Sequence, residues 1–270
     1  MNHSPQTQIT NNRSIDLAGK RILVTGGSSG IGLASARRFI EMGASVFLID
    51  LNANALAAEA RAMGAQGFAV ADVTSEQACE TAVASACQSL GGLDGLFHCA
   101  GVSDQVTPAV DMDIDIWQRI VDVNLRGSFL MCRTVGGAML ERGSGSIVTI
   151  ASVNGLNGIP RRNAYGPAKA GVAMLTRNLS CEWSHQGVRV NALAPGYIAT
   201  PMIDQLVHDH KIDVDRIERR TPMARMGRPE EVANAAAFLL SDAASYVSGA
   251  ILPVDGGFTS YGGAGDVKTA

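Results

Sequence analysis

Seven short, nearly continuous apolar segments recur along this chain, and they constrain its fold more than any other feature of the sequence. Longer Ala-rich segments of helical character separate them. Strands that are buried on both faces are apolar at almost every position rather than at every second one. The segments lie at residues 21–25, 45–49, 67–71, 95–98, 146–150, 188–192 and 250–254. The alternation therefore predicts an α/β fold, a doubly wound parallel sheet of about seven strands with helices on both faces.

No segment marks a boundary between two domains. The 270 residues contain neither an internal repeat nor a Pro- or Ser-rich linker, and parallel α/β sheets often reach this length as one unit. Residues 1–15 are rich in Asn, Gln, Ser and Thr, and Arg13 is their only Lys or Arg. We expect a flexible tail there, with neither a signal peptide nor a membrane anchor. The sequence predicts one domain over residues 16–260 and a second flexible tail over residues 261–270.

The composition argues against two kinds of partner. Hydrophobic residues make up 46% of the chain and charged residues 17%, and the formal net charge is -3. Such a globular composition offers no basic surface to nucleic acid or to an anionic membrane. No stretch reaches the roughly 18 consecutive apolar residues of a membrane span. We therefore expect neither nucleic acid nor a membrane as a partner.

The cysteines indicate a reducing compartment. They are scattered without a Cys-x-x-Cys pair, and most lie in apolar segments where a buried free thiol is the expected state. The five are Cys79, Cys87, Cys99, Cys132 and Cys181. This pattern favours a cytoplasmic location. His208 and His210 flank Asp209, but no third ligand lies nearby in the sequence, so we predict no metal site.

A glycine-rich loop follows the first predicted strand and leads directly into a helical segment. Glycine permits the tight turn, lets the backbone approach a pyrophosphate and lets the helix begin close to the sheet. The N–H groups at the start of the helix then face the anion. The loop residues that we expect at a dinucleotide are Gly26, Ser28, Ser29, Gly30, Ile31 and Gly32.

An acidic residue at the end of the second predicted strand indicates which dinucleotide is bound. Asp50, followed by Leu51, is placed to accept hydrogen bonds from the ribose hydroxyls. The same carboxylate would repel the 2'-phosphate of NADP. Arg37 and Arg38 in the following helix offer that phosphate a partner, but we expect them on the solvated face. Since Ser29 adds no positive charge to the loop, the sequence favours NAD.

Asp72 and Val73 follow the third predicted strand and have two interpretations. Their carboxylate and backbone amide are placed to bind the edge of an adenine. Alternatively, Asp72 supplies negative charge at the start of the next helix, ahead of Thr74 and Ser75. The sequence leaves both interpretations open.

Tyr165 and Lys169 form a candidate proton-transfer pair. Residues at i and i+4 lie on the same face of a helix, so the lysine stem rises beside the tyrosine ring. The ordinary pKa of a phenol is about 10, and an ammonium held beside it favours the phenolate. Taken alone, the same spacing is also typical of an amphipathic surface turn.

These motifs, in this order, resemble those of the short-chain dehydrogenase/reductase family, in its single-domain branch. The resemblance covers about residues 17–258 and implies a Rossmann-type sheet. It rests on residues 25–32, Asp72, Ala100 with Gly101, Asn124, Ser152, Tyr165 with Lys169, Pro195 with Gly196 and Thr200, and residues 254–257.

The resemblance implies a catalytic role for four of these residues. Tyr165 would be the general acid or base, and Lys169 would lower its pKa and hold the nicotinamide ribose. Ser152 would bind the substrate oxygen and stabilise the charge that develops there. Asn124 would position a water that links Lys169 to solvent.

The resemblance also implies how the nicotinamide half of NAD is held. Hydride delivery to its B face would follow from that placement. The residues assigned to it, besides Tyr165 and Lys169, are Cys99, Ala100, Gly101, Pro195, Gly196, Ile198 and Thr200.

One motif departs from the family pattern. Where the family usually has Asn-Asn-Ala-Gly after the fourth strand, this chain has His98 and Cys99 before Ala100 and Gly101. We interpret His98 as a core histidine whose ring N–H supplies the bond that the asparagine makes. Cys99 is interpreted as a small core side chain, and a reactive thiol remains open.

The substrate is expected to contact Ser152, Asn154, Asn163, Tyr165 and Tyr197. The long connection over residues 197–228 is predicted to form a lid. The polar character of these segments resembles that of sugar-alcohol and other secondary-alcohol dehydrogenases. Arg161 or Arg162 would alternatively clamp a carboxylate or phosphate, although arginines in a loop are more often simply exposed.

The sequence thus predicts an oxidoreductase that transfers hydride between NAD and a secondary alcohol or ketone, such as a polyol. One alternative is a 3-oxoacyl-thioester reductase that uses NADPH. Another, of a different class, is a non-catalytic protein that senses NAD. The family resemblance further implies a homotetramer, formed through the helices around Asn124 and Tyr165 and through the last strand.

Overall fold

Seven parallel strands form the centre of the molecule, which is represented by a computed structural model describing residues 15–104, 106–263 and 265–267. Their order across the sheet is β3-β2-β1-β4-β5-β6-β7. Their bounds are β1 (Arg21–Thr25), β2 (Ser45–Asp50), β3 (Gly67–Val70), β4 (Gly95–His98), β5 (Gly145–Ile150), β6 (Val188–Pro195) and β7 (Ile251–Val254). The chain moves outward from β1 to β3 and then crosses to β4, so the direction of winding changes between β1 and β4.

Helices cover both faces of the sheet. In chain order they are α1 (Gly30–Glu41), α2 (Ala53–Met63), α3 (Glu76–Leu90), α4 (Ile114–Val121), α5 (Gly127–Arg142), α6 (Tyr165–Trp183), α7 (Pro201–His208), α8 (Val214–Arg220) and α9 (Pro229–Leu240). Apolar side chains of α1, α2 and α9 pack on one face, and those of α3, α5 and α6 pack on the other. The predicted doubly wound α/β fold is confirmed.

Alternate side chains of the central strands enter two separate cores. Ile22 and Val24 of β1 belong to the cluster that includes α1 and α9, whereas Leu23 belongs to the cluster that includes α3 and α5. All three are at most 1% exposed. Burying one such side chain stabilises the fold by about 1.5–3 kcal/mol. The continuous apolar pattern therefore reflects burial on both faces.

The expectation of burial on both faces is wrong for β3. Its Phe68 and Val70 are 38% and 51% exposed, and they alternate with half-buried Gly67 and Ala69. β3 pairs only with β2. Because it is an edge strand with a neighbour on one side only, its outward side chains remain at the surface.

The connection predicted to form a lid contains two short helices, α7 and α8. A parallel bridge between Ile198 and Gly227 joins the two ends of the connection. The strand pattern ended β6 at residue 192, whereas β6 continues to Pro195 and the predicted lid follows it almost directly.

Part of the predicted C-terminal tail, residues 261–263 and 265–267, lies among the described residues and contacts the lid. Arg220 of α8 lies 4.6 Å from the ring of Tyr261 and donates to its carbonyl oxygen at 2.6 Å. Arg219 forms an ion pair with Asp266 at 3.3 Å. These contacts tie the segment to the lid. The predicted N-terminal tail lies outside the described residues, except for Ile15.

None of the helices in the described part of the chain is both long enough and apolar enough to cross a membrane.

Candidate active site

A cavity of about 600 Å³ lies along the carboxyl ends of the strands, beside the change of winding between β1 and β4. Open α/β sheets bind their ligands at this position. Most of the predicted cofactor and catalytic residues line it. They are Gly26, Ser29, Gly30, Ile31, Gly32, Asp50, Leu51, Asp72, Val73, Cys99, Ala100, Gly101, Asn124, Tyr165, Lys169 and Thr200. The fold thus brings together residues from seven separate segments of the chain.

The glycine loop has the close backbone approach that a pyrophosphate site needs. A Cβ on Gly32 would lie 2.0 Å from the carbonyl oxygen of Gly26, so no larger residue fits. Gly30 has a φ of +52°, in the left-handed region that favours glycine. Ser29 precedes α1 without a side-chain cap, and the first turn of α1 holds no acidic residue. The bare N–H groups of this turn therefore suit the phosphates of a dinucleotide.

The Asp50 carboxylate is hydrogen-bonded to the backbone of this loop. One of its oxygens accepts a hydrogen bond from the Ser28 amide at 3.0 Å, and the other accepts from the Asn52 amide at 3.1 Å. Ser28 itself does not line the cavity; its amide instead fixes the carboxylate at the cavity wall. The negative charge of Asp50 lies where the adenosine ribose of a dinucleotide would bind.

The two arginines of α1 have partners away from the cavity. Arg37 pairs with Glu59 at 2.6 Å, and Arg38 donates to Asn234 at 2.9 Å. Neither lines the cavity. The expectation that these arginines lie on the outer face of the helix agrees with this arrangement.

Both interpretations of Asp72 are compatible with the structure. The residue lines the cavity, and one of its oxygens accepts hydrogen bonds from the amide and the hydroxyl of Thr74, both at 2.8 Å. Ser75, not Asp72, caps α3 by accepting from the amide of Ala78. Asp72 therefore fixes the turn before the helix while it faces the cavity.

Tyr165 is the first residue of α6, and Lys169 follows one turn later. The lysine Nζ lies 5.6 Å from the centre of the tyrosine ring and donates to the carbonyl oxygen of Ile150 at 2.8 Å. Lys169 is 3% exposed, and its burial lowers its pKa to about 8. This lysine is therefore still mostly protonated at neutral pH, but it gives up its proton more readily than a solvated lysine.

The expectation was that Lys169 lowers the pKa of Tyr165, whereas the net shift of the phenol is upward. Burial raises the pKa of the phenol above its usual value, and this effect exceeds the opposing hydrogen bond with Ser152 and the charge of Arg162. Desolvation disfavours the charged phenolate, whereas cations and hydrogen bonds favour it. The spacing from Tyr165 to Lys169 correctly indicated proximity, but it could not reveal how deeply the ring is buried.

Asn124 lies in a π-helical turn, Asp122–Arg126, between α4 and α5. Its side-chain nitrogen donates to the carbonyl oxygens of Val102 and Ile120, both at 2.9 Å. A Cβ on Gly101 would lie 2.7 Å from the Asn124 oxygen and 3.5 Å from the Lys169 nitrogen. Asn124 and Lys169 therefore approach each other across Gly101. Such π-helical turns occur frequently at functional sites.

Only some of the residues assigned to the nicotinamide half line the cavity. Thr200 lines the cavity and donates to the carbonyl oxygen of Ile198 at 3.2 Å. Ile198 is 4% exposed and packs in the core. The Gly196 amide donates to the carbonyl oxygen of Val254 at 3.0 Å. Pro195, Gly196 and Ile198 do not themselves line the cavity.

The residues assigned to the substrate do not all line one cavity, because Tyr165 lines the first cavity whereas Ser152, Asn154 and Asn163 do not. Ser152 and Asn154 are both buried, and the hydroxyl of Ser152 accepts from the Asn154 amide at 3.1 Å. Asn163 is exposed, and its carbonyl oxygen accepts from Trp117 at 3.1 Å. Tyr197 lines a second, more open cavity of about 1150 Å³ beneath α8.

His98 is a core residue, as expected, but only one of its ring nitrogens is satisfied. Nδ1 shares a hydrogen bond with the Thr25 hydroxyl at 2.9 Å, whereas Nε2 is buried without a partner among the described residues. Burial lowers the pKa of His98 to about 3, so the ring is neutral. Burial raises the pKa of Cys99 to about 12, which argues against a reactive thiol.

The described residues contain no group of three or more His, Cys, Asp or Glu side chains that could hold a metal ion. The side chain of His208 is 84% exposed.

The expectation of an exposed arginine pair is wrong for Arg162. Arg161 is exposed, but Arg162 is buried against Asp104, with 2.5 Å between Nη1 and Oδ1. Asp104 was not predicted as the partner of Arg162. No local signal could reveal this contact, because the two residues are far apart in the sequence and meet only after β4 and β5 pair.

Together, the sheet, the phosphate cradle and the adjoining tyrosine and lysine define a dinucleotide-binding oxidoreductase.

Comparisons with known proteins agree with this class. The family model described as enoyl-(acyl carrier protein) reductase matches residues 26–259. Galactitol 2-dehydrogenase (L-tagatose-forming) of Cereibacter sphaeroides is 42% identical over 91% of this chain and 97% of its own. Cis-4-hydroxycyclohexanecarboxylate dehydrogenase of Sinomonas cyclohexanicum is 41% identical over 88% of this chain and 96% of its own.

A solved structure of levodione reductase is also similar, with a TM-score of 0.87 and 36% identity over 90% of this chain and 99% of its own. The chain belongs to the short-chain dehydrogenase/reductase family. It is an oxidoreductase that acts on CH–OH groups and transfers hydride between an alcohol and a ketone, with a nicotinamide cofactor.

Proposed function

We propose that this enzyme is an NAD-dependent dehydrogenase of small polar secondary alcohols, such as polyols. The observation that carries the proposal is the placement of Asp50 and of the Tyr165–Lys169 pair on the walls of one cavity. NAD, when bound there, would supply the hydride acceptor, or NADH the donor. The side chains of this protein do the remaining work, which is to bind, orient and move a proton.

Tyr165 is the group that exchanges a proton with the substrate hydroxyl. Ser152 bonds to Tyr165 and lowers its pKa, and from this position it also reaches the substrate oxygen. Lys169 stands beside the ring with a pKa of about 8. Asn124 lies next to Lys169 and positions the water that links it to solvent. These four residues form a proton path from the buried ring outward.

NAD is favoured over NADP by the charge at the ribose end of the cavity. The Asp50 carboxylate is fixed by two backbone amides, and a 2'-phosphate beside it would meet like charge. Arg37 pairs with Glu59 and is not free to bind that phosphate. The cofactor half toward β6 would be held by Thr200 together with the backbone around Ile198.

A polar substrate is favoured by the second cavity and by the relatives. Tyr197 shares that cavity with Lys211 and Arg216 of the lid. The two curated relatives described above are named for a polyol and for a hydroxy acid. We place the distal part of the substrate in this cavity, with its carbinol carbon facing Tyr165. The enzyme acts in the cytoplasm as a homotetramer.

A panel of secondary alcohols, monitored by NADH absorbance, tests this function. Polyols, hydroxy acids and hydroxysteroids are supplied with NAD or NADP, and kcat/KM is compared. We expect turnover of at least one polyol, with NAD preferred. A clear preference for NADPH in reduction of 3-oxoacyl thioesters would replace this function with the reductase alternative. Tight NAD binding without turnover on any substrate would favour a sensor.

A further inference from the structure

Two cations stand at nearly equal distances from the Tyr165 ring. The Lys169 Nζ is 5.6 Å from the ring centre, and the Cζ of the Arg162 guanidinium is 5.8 Å from it. Lys169 lies one helical turn after Tyr165, whereas Arg162 lies in the loop before α6. The ring is thus flanked by positive charge from two directions.

Arg162 is held there by a buried carboxylate. Its Nη1 donates to the Asp104 Oδ1 at 2.5 Å and to the Ser103 hydroxyl at 2.9 Å. The two charged side chains are only 7% and 0% exposed. At such burial a charge is little screened by water or salt. Arg162 therefore differs from Arg161, which is exposed.

Asp104 also contacts the backbone that carries the tyrosine. Its Oδ2 accepts a hydrogen bond from the Tyr165 amide at 3.3 Å. This contact anchors the first turn of α6 to the loop after β4. It also places a buried negative charge beside the phenol, where an anion opposes formation of the phenolate.

The opposing charges act on the same ring. The charge of Asp104 raises the pKa of Tyr165, and that of Arg162 lowers it. The other groups facing the ring are Cys99, which is un-ionised, and Ser152, whose hydrogen bond favours the phenolate. His98 is neutral and lies near Lys169 rather than beside the phenol.

We propose that Arg162 is a positioning residue for the proton transfer: it neutralises Asp104, so that this carboxylate can anchor Tyr165 without opposing its deprotonation. The inference rests on the proposed role of Tyr165. It adds to the four residues of the proton path a buried ion pair that sets the charge around the phenol.

The pH dependence of kcat for alcohol oxidation tests the proposal in four variants. Arg162→Gln leaves Asp104 buried and unpaired, so the rising limb should move to alkaline pH by about one to two units. The double change Asp104→Asn with Arg162→Gln removes both charges and should bring the limb back toward its wild-type position. Arg162→Lys keeps the charge and should remain close to wild type. Arg161→Gln makes the same charge change at an exposed position and should leave the limb in place.

A second readout does not depend on turnover. The ionisation of Tyr165 is followed by ultraviolet titration, as the difference between each variant and the same variant with Tyr165→Phe. We expect the phenol to ionise at higher pH in Arg162→Gln than in the wild type. In the double variant, the pH of ionisation should return toward the wild-type value. NADH binding and thermal unfolding show whether each variant is folded.

Three results would overturn the proposal. They are an unshifted limb in folded Arg162→Gln, an equal shift in Arg161→Gln, and a double variant that remains as shifted as the single one. If Arg162→Gln does not fold, the other variants still test the proposal through the pH at which Tyr165 ionises. The proposal would be overturned if this pH is unchanged in Arg162→Lys but shifted in the double variant. Retained turnover in Tyr165→Phe would instead refute the proposed function itself.

Discussion

At the scale of single residues, the proposed choice of NAD rests on Asp50. It is anchored to the loop amide of Ser28 and to the amide of Asn52, so its negative charge has a fixed position. A charge held rigidly at a binding site discriminates between ligands better than a mobile one, because it cannot move away from a repelled group.

Asp50→Asn should reduce the proposed preference for NAD. The amide oxygen can still accept a backbone hydrogen bond, but the charge that repels a 2'-phosphate is lost. We expect the ratio of kcat/KM for NADH to that for NADPH to fall by at least about tenfold, which corresponds to about 1.4 kcal/mol. The ratio is measured by steady-state kinetics in the reductive direction. An unchanged ratio would contradict the assignment of Asp50.

Gly32→Ala should weaken cofactor binding. The new Cβ would lie 2.0 Å from a backbone oxygen, so the loop must shift away from the geometry that faces the pyrophosphate. We expect the dissociation constant for NADH, measured by fluorescence titration, to rise by at least about tenfold. Gly137→Ala is the control, since a Cβ there meets nothing within 4 Å. Equal NADH affinity in the two variants would count against the phosphate cradle.

Single residues also show where sequence reasoning succeeds and where it stops. Tyr165 and Lys169 could be paired in advance, because helical periodicity fixes which residues share a face. The pair of Arg162 and Asp104 could not be predicted, since its two members come from different loops. The missing hydrogen-bond partner of His98 Nε2 among the described residues likewise depends on the packing around β4.

At the scale of elements, the strand pattern identified the sheet because burial on both faces leaves a continuous apolar run. The pattern placed β1 and β4 at their observed bounds. It overestimated the burial of β3, because an apolar segment does not reveal whether its strand lies at the centre or at the edge of the sheet. It also gave no sign that α8 would hold the C-terminal segment, because that contact depends on Arg220 stacking on Tyr261.

The junction of β1, β4 and α5 is held by a partly buried cluster of charges. Asp94, which precedes β4, pairs with Arg21 at 2.8 Å and with Arg142 at 2.6 Å. The hydrogen bond with Arg21 is the main reason that the pKa of Asp94 lies well below its usual range. A carboxyl with a lowered pKa stabilises the fold above its unfolded pKa of about 4, and this stabilisation is lost as the pH falls.

Asp94→Asn should therefore lower the free energy of unfolding at pH 7 by roughly 2 kcal/mol. The difference from wild type should shrink progressively below about pH 4. Urea unfolding at several pH values measures both effects. Asp242→Asn is a matched control, because Asp242 pairs with Lys20 at a position that is 83% exposed, and its effect should stay below about 1 kcal/mol. If the difference in free energy of unfolding between the wild type and Asp94→Asn does not depend on pH, the proposed role of the Asp94 ionisation is wrong.

At the scale of the whole molecule, the outer surface of α4, α5 and α6 carries apolar side chains that a single chain leaves in water. Ile114, Phe129 and Met174 are 71%, 42% and 52% exposed. These helices surround Asn124 and Tyr165, so association through them would bury the outer side of the site. The expected homotetramer would cover this surface.

Met174→Glu should therefore dissociate the assembly. A charge introduced into a buried interface loses its hydration without gaining a partner. We expect light scattering coupled to size-exclusion chromatography to give four chains for the wild type and fewer for the variant. Val70→Glu, at an equally exposed position of 51% on the edge strand β3, should leave the assembly intact. A monomeric wild type would refute the predicted homotetramer.

The central claim is that the protein moves a proton through Tyr165 at a dinucleotide site that exists independently of that hydroxyl. Tyr165→Phe tests it most directly, because the change removes one oxygen from a ring that packs beside Lys169. Two quantities are measured together, kcat for alcohol oxidation with NAD and the dissociation constant of NADH. We predict that kcat falls by at least about a thousandfold while the dissociation constant changes by less than about threefold. Turnover that persists in this variant would contradict the account.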